Sequence, residues 1–276
     1  MILILNKNVI ILCAGKGTRF GETTKKIPKP LIKVKKLGNK PILYSILSAL
    51  SESEYKNIWV VKGYLSGKIE SYISSLQSKK TFPDLTIETI DSKQDYTLGP
   101  LHSFLSIRRK PEVFKENSIY LVIPGDTILQ TSFLRKVSRF IDSQSDLLAK
   151  YPVLFYQTIN GKEFLPKLKD SERNSEKSIS ILHSKPSKPH LLEAISTISI
   201  SQLNAETQLK QLYPCFLLTY SSLQKLLTIP NLQDISSITQ LINGYSEGGK
   251  KVYIKSFKQD FDFYDIDFKS DLHRIK

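Results

Sequence analysis

The sequence is poor in cysteine and has no long apolar run. Only Cys13 and Cys215 occur among its 276 residues. Neither has metal-ligand spacing, which argues against a zinc site or a disulfide framework. No apolar stretch approaches the roughly 20 residues that span a bilayer. The opening MILILNKNVIILCAG is partly apolar, but Asn6-Lys7-Asn8 interrupts it. It lacks the charged start, the longer apolar centre and the small-residue cleavage site of a secretory signal. It therefore reads as a lead-in to a first buried strand, and the protein as cytoplasmic with no membrane span. An internal repeat, a low-complexity linker and a dense block of lysine are also lacking.

What is present is an ordinary globular composition, 40% hydrophobic and 10% aromatic, enough to bury a sizeable core. The formal net charge is +14, which favours anionic partners: nucleotides, phosphorylated substrates, nucleic acid or acidic lipid. The lysines are scattered as on a solvated surface. A nucleic-acid-binding protein would want a basic stripe interleaved with aromatics on one face. No such stripe is found, so nucleic acid is not expected as a partner.

The run Val9-Ile10-Ile11-Leu12 is continuously apolar and followed by glycines, as for a parallel strand buried on both faces. Further strands are predicted at 58–61, 85–90 and 119–123, and helices at 41–50, 66–76, 101–107 and 131–141. Strand alternating with helix implies an α/β protein with a mixed, mostly parallel, doubly wound sheet flanked by helices. Ligands on such sheets gather at the carboxyl ends of the strands. The second half is less regular. Strands are predicted at 147–156, 178–182, 194–200, 215–219 and 251–257, helices at 221–227 and 235–242, and a polar loop or hairpin at 160–178.

The first strand runs into Cys13-Ala14-Gly15-Lys16-Gly17-Thr18-Arg19-Phe20. Two glycines let the backbone approach a ligand and expose its amides, and Arg19 can grip phosphate oxygens through paired hydrogen bonds. Beyond it, Pro28-Lys29-Pro30-Leu31 stiffens the chain around one lysine, which can neutralise charge on a reacting phosphoryl group. This is not a P-loop, since no Gly-Lys-Ser/Thr follows at the needed spacing, and the third glycine of the dinucleotide fingerprint is missing.

The string at 15–34, GKGTRFGETTKKIPKPLIKV, resembles the signature of the sugar-1-phosphate nucleotidylyltransferases, also called nucleoside-diphosphate-sugar pyrophosphorylases. The resemblance continues at Val60-Val61-Lys62-Gly63-Tyr64-Leu65, Leu98-Gly99-Pro100, Pro124-Gly125-Asp126, and Asp265-Ile266-Asp267 with Asp271-Leu272. It implies a Rossmann-like nucleotidyltransferase fold and one domain, with a nucleotide-binding half at 1–145 and an acceptor-binding half at 146–276. It also implies transfer of a nucleoside monophosphate from a triphosphate to a phosphorylated small molecule, with release of pyrophosphate. By the same resemblance Leu12, Ala14, Gly15, Gly17 and Thr18 cradle the nucleotide, Arg19 holds the departing phosphates, and Lys29 contacts the α-phosphate. The backbone around Gly99 faces the base, with Gln94 as a candidate reader. Homo-oligomerisation stays open.

Mg²⁺ prefers oxygen ligands and needs only one or two carboxylates beside substrate phosphates. Asp126, just past an apolar strand, is the first candidate ligand; its alternative is a helix N-cap for the segment near Thr131. Asp265 and Asp267 flank Ile266, so in a strand they share one face. Asp267 is preferred and Asp265 is the alternative, because members of the wider superfamily use either position. Asp271 is expected to begin or cap the last helix. Phe268-Lys269 stands where the superfamily often has Thr-Pro. An attacking phosphate is already ionised near neutral pH, so no general base is needed; His102 is expected near the surface, with contact to base or substrate as its alternative.

On the acceptor side, His183-Ser184-Lys185-Pro186 resembles the family's Glu-Lys-Pro, in which the lysine binds the acceptor's phosphate. Ser184 replaces the glutamate, which argues against an ordinary hexose phosphate and leaves another sugar, a heptose, an inositol phosphate, or an amino-alcohol phosphate such as phosphocholine used by a cytidylyltransferase. Other readings are a nucleotide-binding relative without turnover and a transferase for molybdopterin-type or isoprenoid-precursor phosphates. The first would want Arg19, Lys29 or a metal carboxylate missing; all are present. The Pro-Lys-Pro-Leu turn and the length argue against the second.

Overall fold

The computed structural model describes residues 5–168, 177–226 and 234–275. Strand β1 (Asn6–Cys13) leads through the glycine loop to a four-residue helix α1 (Thr23–Lys26), the short pair β2 (Lys33–Val34) and β3 (Lys40–Pro41), and helix α2 (Ile42–Ser51). Then come β4 (Asn57–Lys62), α3 (Ser66–Ser78), β5 (Thr86–Asp91), α4 (Pro100–Leu105), β6 (Ser118–Pro124), β7 (Thr127–Leu129), α5 (Thr131–Ser143) and α6 (Ser145–Leu148). The second half holds β8 (Val153–Asn160), α7 (Gly161–Phe164), β9 (Ser178–Lys185), β10 (Lys188–Ser199) and β11 (Gln208–Thr219). It ends with α8 (Tyr220–Leu226), α9 (Ile238–Glu247), β12 (Tyr253–Ser256) and β13 (Phe263–Asp265).

Among the described residues, nine strands form one sheet in the order β5-β4-β1-β6-β11-β8-β12-β10-β9. The four strands of the first half are parallel. β11 joins β6 antiparallel and carries the sheet into the second half. There β8 runs parallel to β12, while the β11–β8, β10–β12 and β9–β10 pairs are antiparallel. The sheet is thus mixed and continuous through both halves.

The period of two along β1 assigns its side chains to two cores. Val9, Ile11 and Cys13 pack with Leu43, Ile46, Leu47 and Leu50 of α2 and with Phe133, Leu134 and Val137 of α5. Ile10 and Ala14 pack on the other face with Leu101 and Phe104 of α4 and Leu241 and Ile242 of α9. Burial on both faces is why these strands read as unbroken apolar runs. A third, smaller cluster, including Ile159, Ile179, Ile181 and Ile200, fills the base of the second half. No described helix is long and apolar enough to cross a membrane.

Several boundaries differ from the sequence expectation. The strands read at 194–200 and 215–219 begin earlier, at Lys188 and Gln208, because each is extended by pairing with its neighbours in the sheet. Two other boundaries have a local cause. The strand read at 147–156 begins only at Val153, because 145–148 is a helical turn closed by Leu148 N–H to the Gln144 carbonyl at 3.0 Å and Ala149 N–H to the Ser145 carbonyl at 2.8 Å. Pro152 then enforces extended backbone at the residue before it. The helix read from 235 begins at Ile238, because Ser237 caps it: its hydroxyl accepts from Gln240 N–H at 3.1 Å, and the Gln240 side chain accepts from Ser237 N–H at 3.1 Å. That reciprocal pair is a capping box. Within 160–178, Gly161–Phe164 is helical, while 169–176 lie outside the described residues, as does the last position of the helix read at 221–227.

Phe133 stands at the centre of an aromatic cluster that reaches from α5 under the second half. Its ring lies 4.4 Å from that of Tyr213, 5.6 Å from Phe261 and 5.9 Å from Phe155, and it is fully buried. Phe133→Ala is expected to cost about 3–5 kcal/mol of unfolding free energy, because cavity formation adds to the lost transfer term. Urea denaturation measures this; a loss under about 1 kcal/mol would contradict the packing described.

Candidate active site

The loop after β1 is held from below and open above. Gly17 has φ +62°, a left-handed conformation that favours glycine, and a Cβ there would meet the Lys29 Cβ at 3.1 Å and the Thr24 Cγ2 at 3.2 Å. The Thr24 hydroxyl donates toward the Gly17 carbonyl at 3.0 Å and the Gly21 carbonyl at 2.8 Å. Phe20 is buried and anchors the turn. A Cβ on Gly15, by contrast, would meet nothing within 4 Å, so the loop's outer edge faces open space. Sequence reasoning misses Thr24, since a threonine in a polar loop carries no local signal of what it pins.

Three chain segments converge beside this loop. Gly125 N–H donates to the Leu12 carbonyl at 2.8 Å, and a Cβ on Gly125 would lie 2.6 Å from Cys13 Sγ. The close approach carries Asp126 over the end of β1. β13 then pairs antiparallel with β7, setting Asp265 opposite Thr127, and Ile266 N–H donates to the Asp126 carbonyl at 3.1 Å. Ile266 is fully buried, which turns its two flanking aspartates outward. Carboxylate oxygens of Asp126, Asp265 and Asp267 all lie within 4.8 Å of one another. Asp126 is a member of this cluster, and α5 takes Gln130 as its N-cap residue instead.

Cations meet these carboxylates. Lys29 Nζ donates to Asp126 Oδ2 at 2.6 Å and to Asp267 Oδ1 at 3.2 Å, and its side chain is only 7% exposed. Desolvation alone would lower the Lys29 pKa; the charge of Asp126 and its hydrogen bond, then Asp267 and Asp265, outweigh it and hold the ammonium above its usual range. The Arg19 guanidinium donates to Asp267 Oδ2 at 2.8 Å and is largely solvated. Asp265 opens on the cleft but is ringed by protein. That burial first, then repulsion from Asp126 and Asp267, lifts its carboxyl to about 7, against Lys29 and the Thr127 hydroxyl that donates to it at 3.3 Å. Three carboxylate groups in this spacing supply the hard oxygen donors that a divalent cation such as Mg²⁺ or Mn²⁺ takes, so the residues fit a metal of that kind.

The turn after β13 fixes Asp267. Buried Asp271 accepts from Asp267 N–H at 2.9 Å and Phe268 N–H at 2.8 Å, and it pairs with Lys177. It caps the turn, as a carboxylate at a helix start does. Phe268, which departs from the superfamily's usual threonine, places its ring 6.0 Å from the Arg19 guanidinium and 5.8 Å from Lys177 Nζ, within the range of cation–π attraction.

A cavity of about 600 Å³ opens from Asp265, Asp267 and Arg19 toward the second half, where Lys177, Gln157 and Gln211 line it. Lys185 ends β9 at the turn into β10 and is not among the described residues lining this cavity; the strand's other end, at Ser178 and Ser180, lines it. Lys177 has no motif around it, so the sequence gives no sign of its place here. On the nucleotide side, Gln94 is exposed just past β5 and begins the turn that ends at Gly99. Gly99 has φ +115°, and a Cβ there would come 2.7 Å from the Ser236 carbonyl, so the base-side loop is pressed against the start of α9. His102 is half-buried, its Nε2 3.1 Å from the Ile235 carbonyl; it holds that same segment.

A mixed sheet whose parallel strands carry a glycine loop and Asp126 past their carboxyl ends, with Asp265 and Asp267 brought alongside by the β7–β13 pair, defines a nucleotidyltransferase-type α/β fold. Residues 8–197 match the family model described as nucleotidyl transferase, and the chain belongs to that family. Over 125 residues it is 34% identical to the bifunctional protein GlmU of Methanococcus maripaludis, a stretch covering 45% of this chain and 26% of that protein. Over 70 residues it is 39% identical to a probable glucose-1-phosphate cytidylyltransferase of Bacillus subtilis, covering 25% of this chain and 26% of that protein. The chain thus matches about a quarter of the length of these curated relatives. The solved UDP-glucose pyrophosphorylase in complex with UDP-glucose has the same fold, with a TM-score of 0.68 over 97% of this chain and 96% of that one, at 15% identity.

Gly125→Ala tests the geometry directly. The added methyl cannot share space with Cys13 Sγ and the Leu12 carbonyl 2.8 Å away. A loss of about 1–3 kcal/mol in stability is expected, as for other overpacked sites, measured by chemical denaturation. A neutral substitution would mean that Asp126 is not held as described.

Proposed function

We propose that this protein transfers a nucleoside monophosphate from a nucleoside triphosphate to a phosphorylated small molecule, a sugar 1-phosphate or a similar compound, and releases pyrophosphate with the help of Mg²⁺. The observation that carries this reading is the convergence of Asp126, Asp265 and Asp267 with Lys29 and Arg19, three of which, Arg19, Asp265 and Asp267, line one cavity. Membership of the nucleotidyl transferase family supports it, and so does the name of the Bacillus subtilis relative, a probable glucose-1-phosphate cytidylyltransferase.

In this reading the backbone of Leu12, Ala14, Gly15 and Gly17 and the hydroxyl of Thr18 cradle the triphosphate. Arg19 grips the β- and γ-phosphates, and Lys29 faces the α-phosphate. Gln94 and the backbone at Gly99 face the base. Asp126 and Asp267 hold the metal, with Asp265 beside both. When bound, Mg²⁺ offsets the charge of the phosphates that must approach one another. An oxygen of the acceptor's phosphate forms a bond to the α-phosphorus as the bond to the bridging oxygen breaks, and pyrophosphate leaves in line. Lys29 stays protonated throughout, so it acts as a fixed positive charge and positions the reacting group. Residues 1–145 serve the nucleotide and 146–276 the acceptor, as one domain working in the cytoplasm.

Purified protein given each nucleoside triphosphate with Mg²⁺ and a panel of phosphorylated acceptors should release pyrophosphate only when an acceptor is present. Silence across the panel with triphosphate still bound would sink the reading. Asp126→Asn should lower kcat at least a hundredfold while circular dichroism shows the protein still folded; an unchanged kcat would remove Asp126 from the metal site. The resemblance of His183-Ser184-Lys185-Pro186 to the family's acceptor-phosphate motif puts Lys185 at the acceptor, whereas its position at the end of β9 lies outside the described cavity lining. A raised acceptor KM in Lys185→Ala supports the first, and an unaltered value takes Lys185 out of the acceptor site.

A further inference from the structure

Lys177 stands beside the acidic turn but belongs to another part of the chain. It lies just before β9, 94 residues from Asp271. Its own backbone is fixed, because its carbonyl accepts from Ile200 N–H at 2.9 Å at the open end of the β9–β10 hairpin. Its ammonium pairs with one oxygen of Asp271, Oδ1. The other oxygen, Oδ2, accepts from Asp267 N–H at 2.9 Å and Phe268 N–H at 2.8 Å. The Phe268 ring lies 5.8 Å from the same ammonium. One buried carboxylate thus joins a lysine of the second half to the backbone of a candidate metal ligand.

The strength of that joint depends on charge. The Asp271 side chain is only 3% exposed. A carboxylate taken out of water is strongly unfavourable unless it is paired and hydrogen-bonded. The Arg274 guanidinium stands 3.9 Å from Oδ1, beyond hydrogen-bond distance, and is partly solvated. Lys177 therefore carries the pairing. Hydrogen bonds that backbone N–H groups give to a carboxylate are about twice as strong as those between neutral groups. Without the ammonium, the carboxylate gains by swinging toward water, and the bonds it gives up are the two that hold Asp267 and Phe268. Asp267 then keeps its side-chain partners Lys29 and Arg19 but loses the fixed backbone from which it projects. Lys177 also lines the cavity, so a direct hold on the acceptor is the other use open to it. Its pairing argues against that use, since an ammonium given to a ligand would leave Asp271 uncompensated.

We infer that Lys177 is a positioning residue for the metal site: by pairing with Asp271 it fixes the backbone of Asp267, and so the direction in which that carboxylate meets the cation. This rests on the reading of Asp126 and Asp267 as metal ligands given above. It adds a residue that touches neither the metal nor the reacting groups. Removing a group that orients a metal ligand typically costs about 10–100-fold in metal affinity.

The test reads metal binding and backbone protection on the full chain, with Mn²⁺ alone as the probe. Electron paramagnetic resonance of free Mn²⁺ should show Lys177→Met binding the cation at least tenfold more weakly than the unaltered protein. Lys177→Arg, which can still pair with Asp271, should stay within threefold. Amide hydrogen exchange at Asp267 and Phe268 should quicken at least tenfold in Lys177→Met and stay slow in Lys177→Arg. Asp271→Asn should weaken Mn²⁺ to a similar degree, and Lys177→Met added to it should cost less than a further twofold, because the two residues act in series. At saturating Mg²⁺ the acceptor's KM should stay within twofold in Lys177→Met. Unchanged Mn²⁺ affinity in folded Lys177→Met overturns the inference. A tenfold rise in the acceptor's KM with Mn²⁺ affinity intact overturns it too, and makes Lys177 an acceptor ligand. Where Lys177→Met fails to fold, Lys177→Gln, polar and of similar length, decides by the same outcomes. Mn²⁺ binding as expected without pyrophosphate release would sink the transfer reading and leave the role of Lys177 standing; no Mn²⁺ uptake by the unaltered protein would sink both.

Discussion

A buried ammonium held between two carboxylates organises this molecule. Lys29 is 7% exposed and reaches Asp126 at 2.6 Å and Asp267 at 3.2 Å. Stripping such a buried group of its partners is strongly destabilising, typically by about 3–5 kcal/mol, because a charge is left without compensation. The two partner segments lie 97 and 238 residues from Lys29 in the chain, so the fold must bring distant strands to one place before the charge can be buried. It does so with backbone contacts that tolerate no side chain, at Gly17 against Lys29 and at Gly125 against Cys13, and with the short β7–β13 ladder that ties Asp265 to Thr127.

The charges of the same cluster do not balance. Three carboxylates stand against Lys29 and the solvated Arg19, and the imbalance is felt at Asp265, where burial and then the two neighbouring aspartates lift the carboxyl to about 7. A further positive charge relieves that repulsion, which is the electrostatic reason such a cluster takes a divalent cation and the anions that accompany it. Asp271 and Phe268 keep the geometry stiff. One accepts the backbone N–H groups on either side of the turn, and the other offers a ring face to Arg19 and Lys177. The exchange of the superfamily's usual threonine for Phe268 therefore changes what surrounds the acidic turn and leaves its carboxylates in place.

From that charged end the cavity passes to a floor built by β8 and β11, where Gln157 Nε2 donates to Gln211 Oε1 at 2.8 Å. The aromatic cluster centred on Phe133 supports that floor, since Tyr213 stacks on Phe133 at 4.4 Å and also passes the hydrogen bond from Phe261 to Gln157. Core packing and polar hydrogen bonding thus meet in that one ring.

Much of this is legible in the residues alone. The apolar runs at β1, β4 and β6, the glycine–arginine loop, the Pro-Lys-Pro-Leu turn and the aspartates at 126, 265 and 267 carry short-range signals, because turns, buried strands and alternating side chains depend on neighbours a few positions apart. Those signals name Lys29, Arg19 and the three carboxylates, which the structure brings into one cluster. What no spacing encodes is which distant strand lies beside which. Thr24 beneath the loop, Lys177 in the cavity and the Gln157–Gln211 pair become visible only once cross-strand register is fixed, and Lys185 sits at the far end of its strand from the cavity. Sequence determined the kinds of chemistry available at each turn; tertiary structure alone decided which groups share a space, because burial, register and hydrogen-bond direction are properties of the assembled sheet and of no single segment.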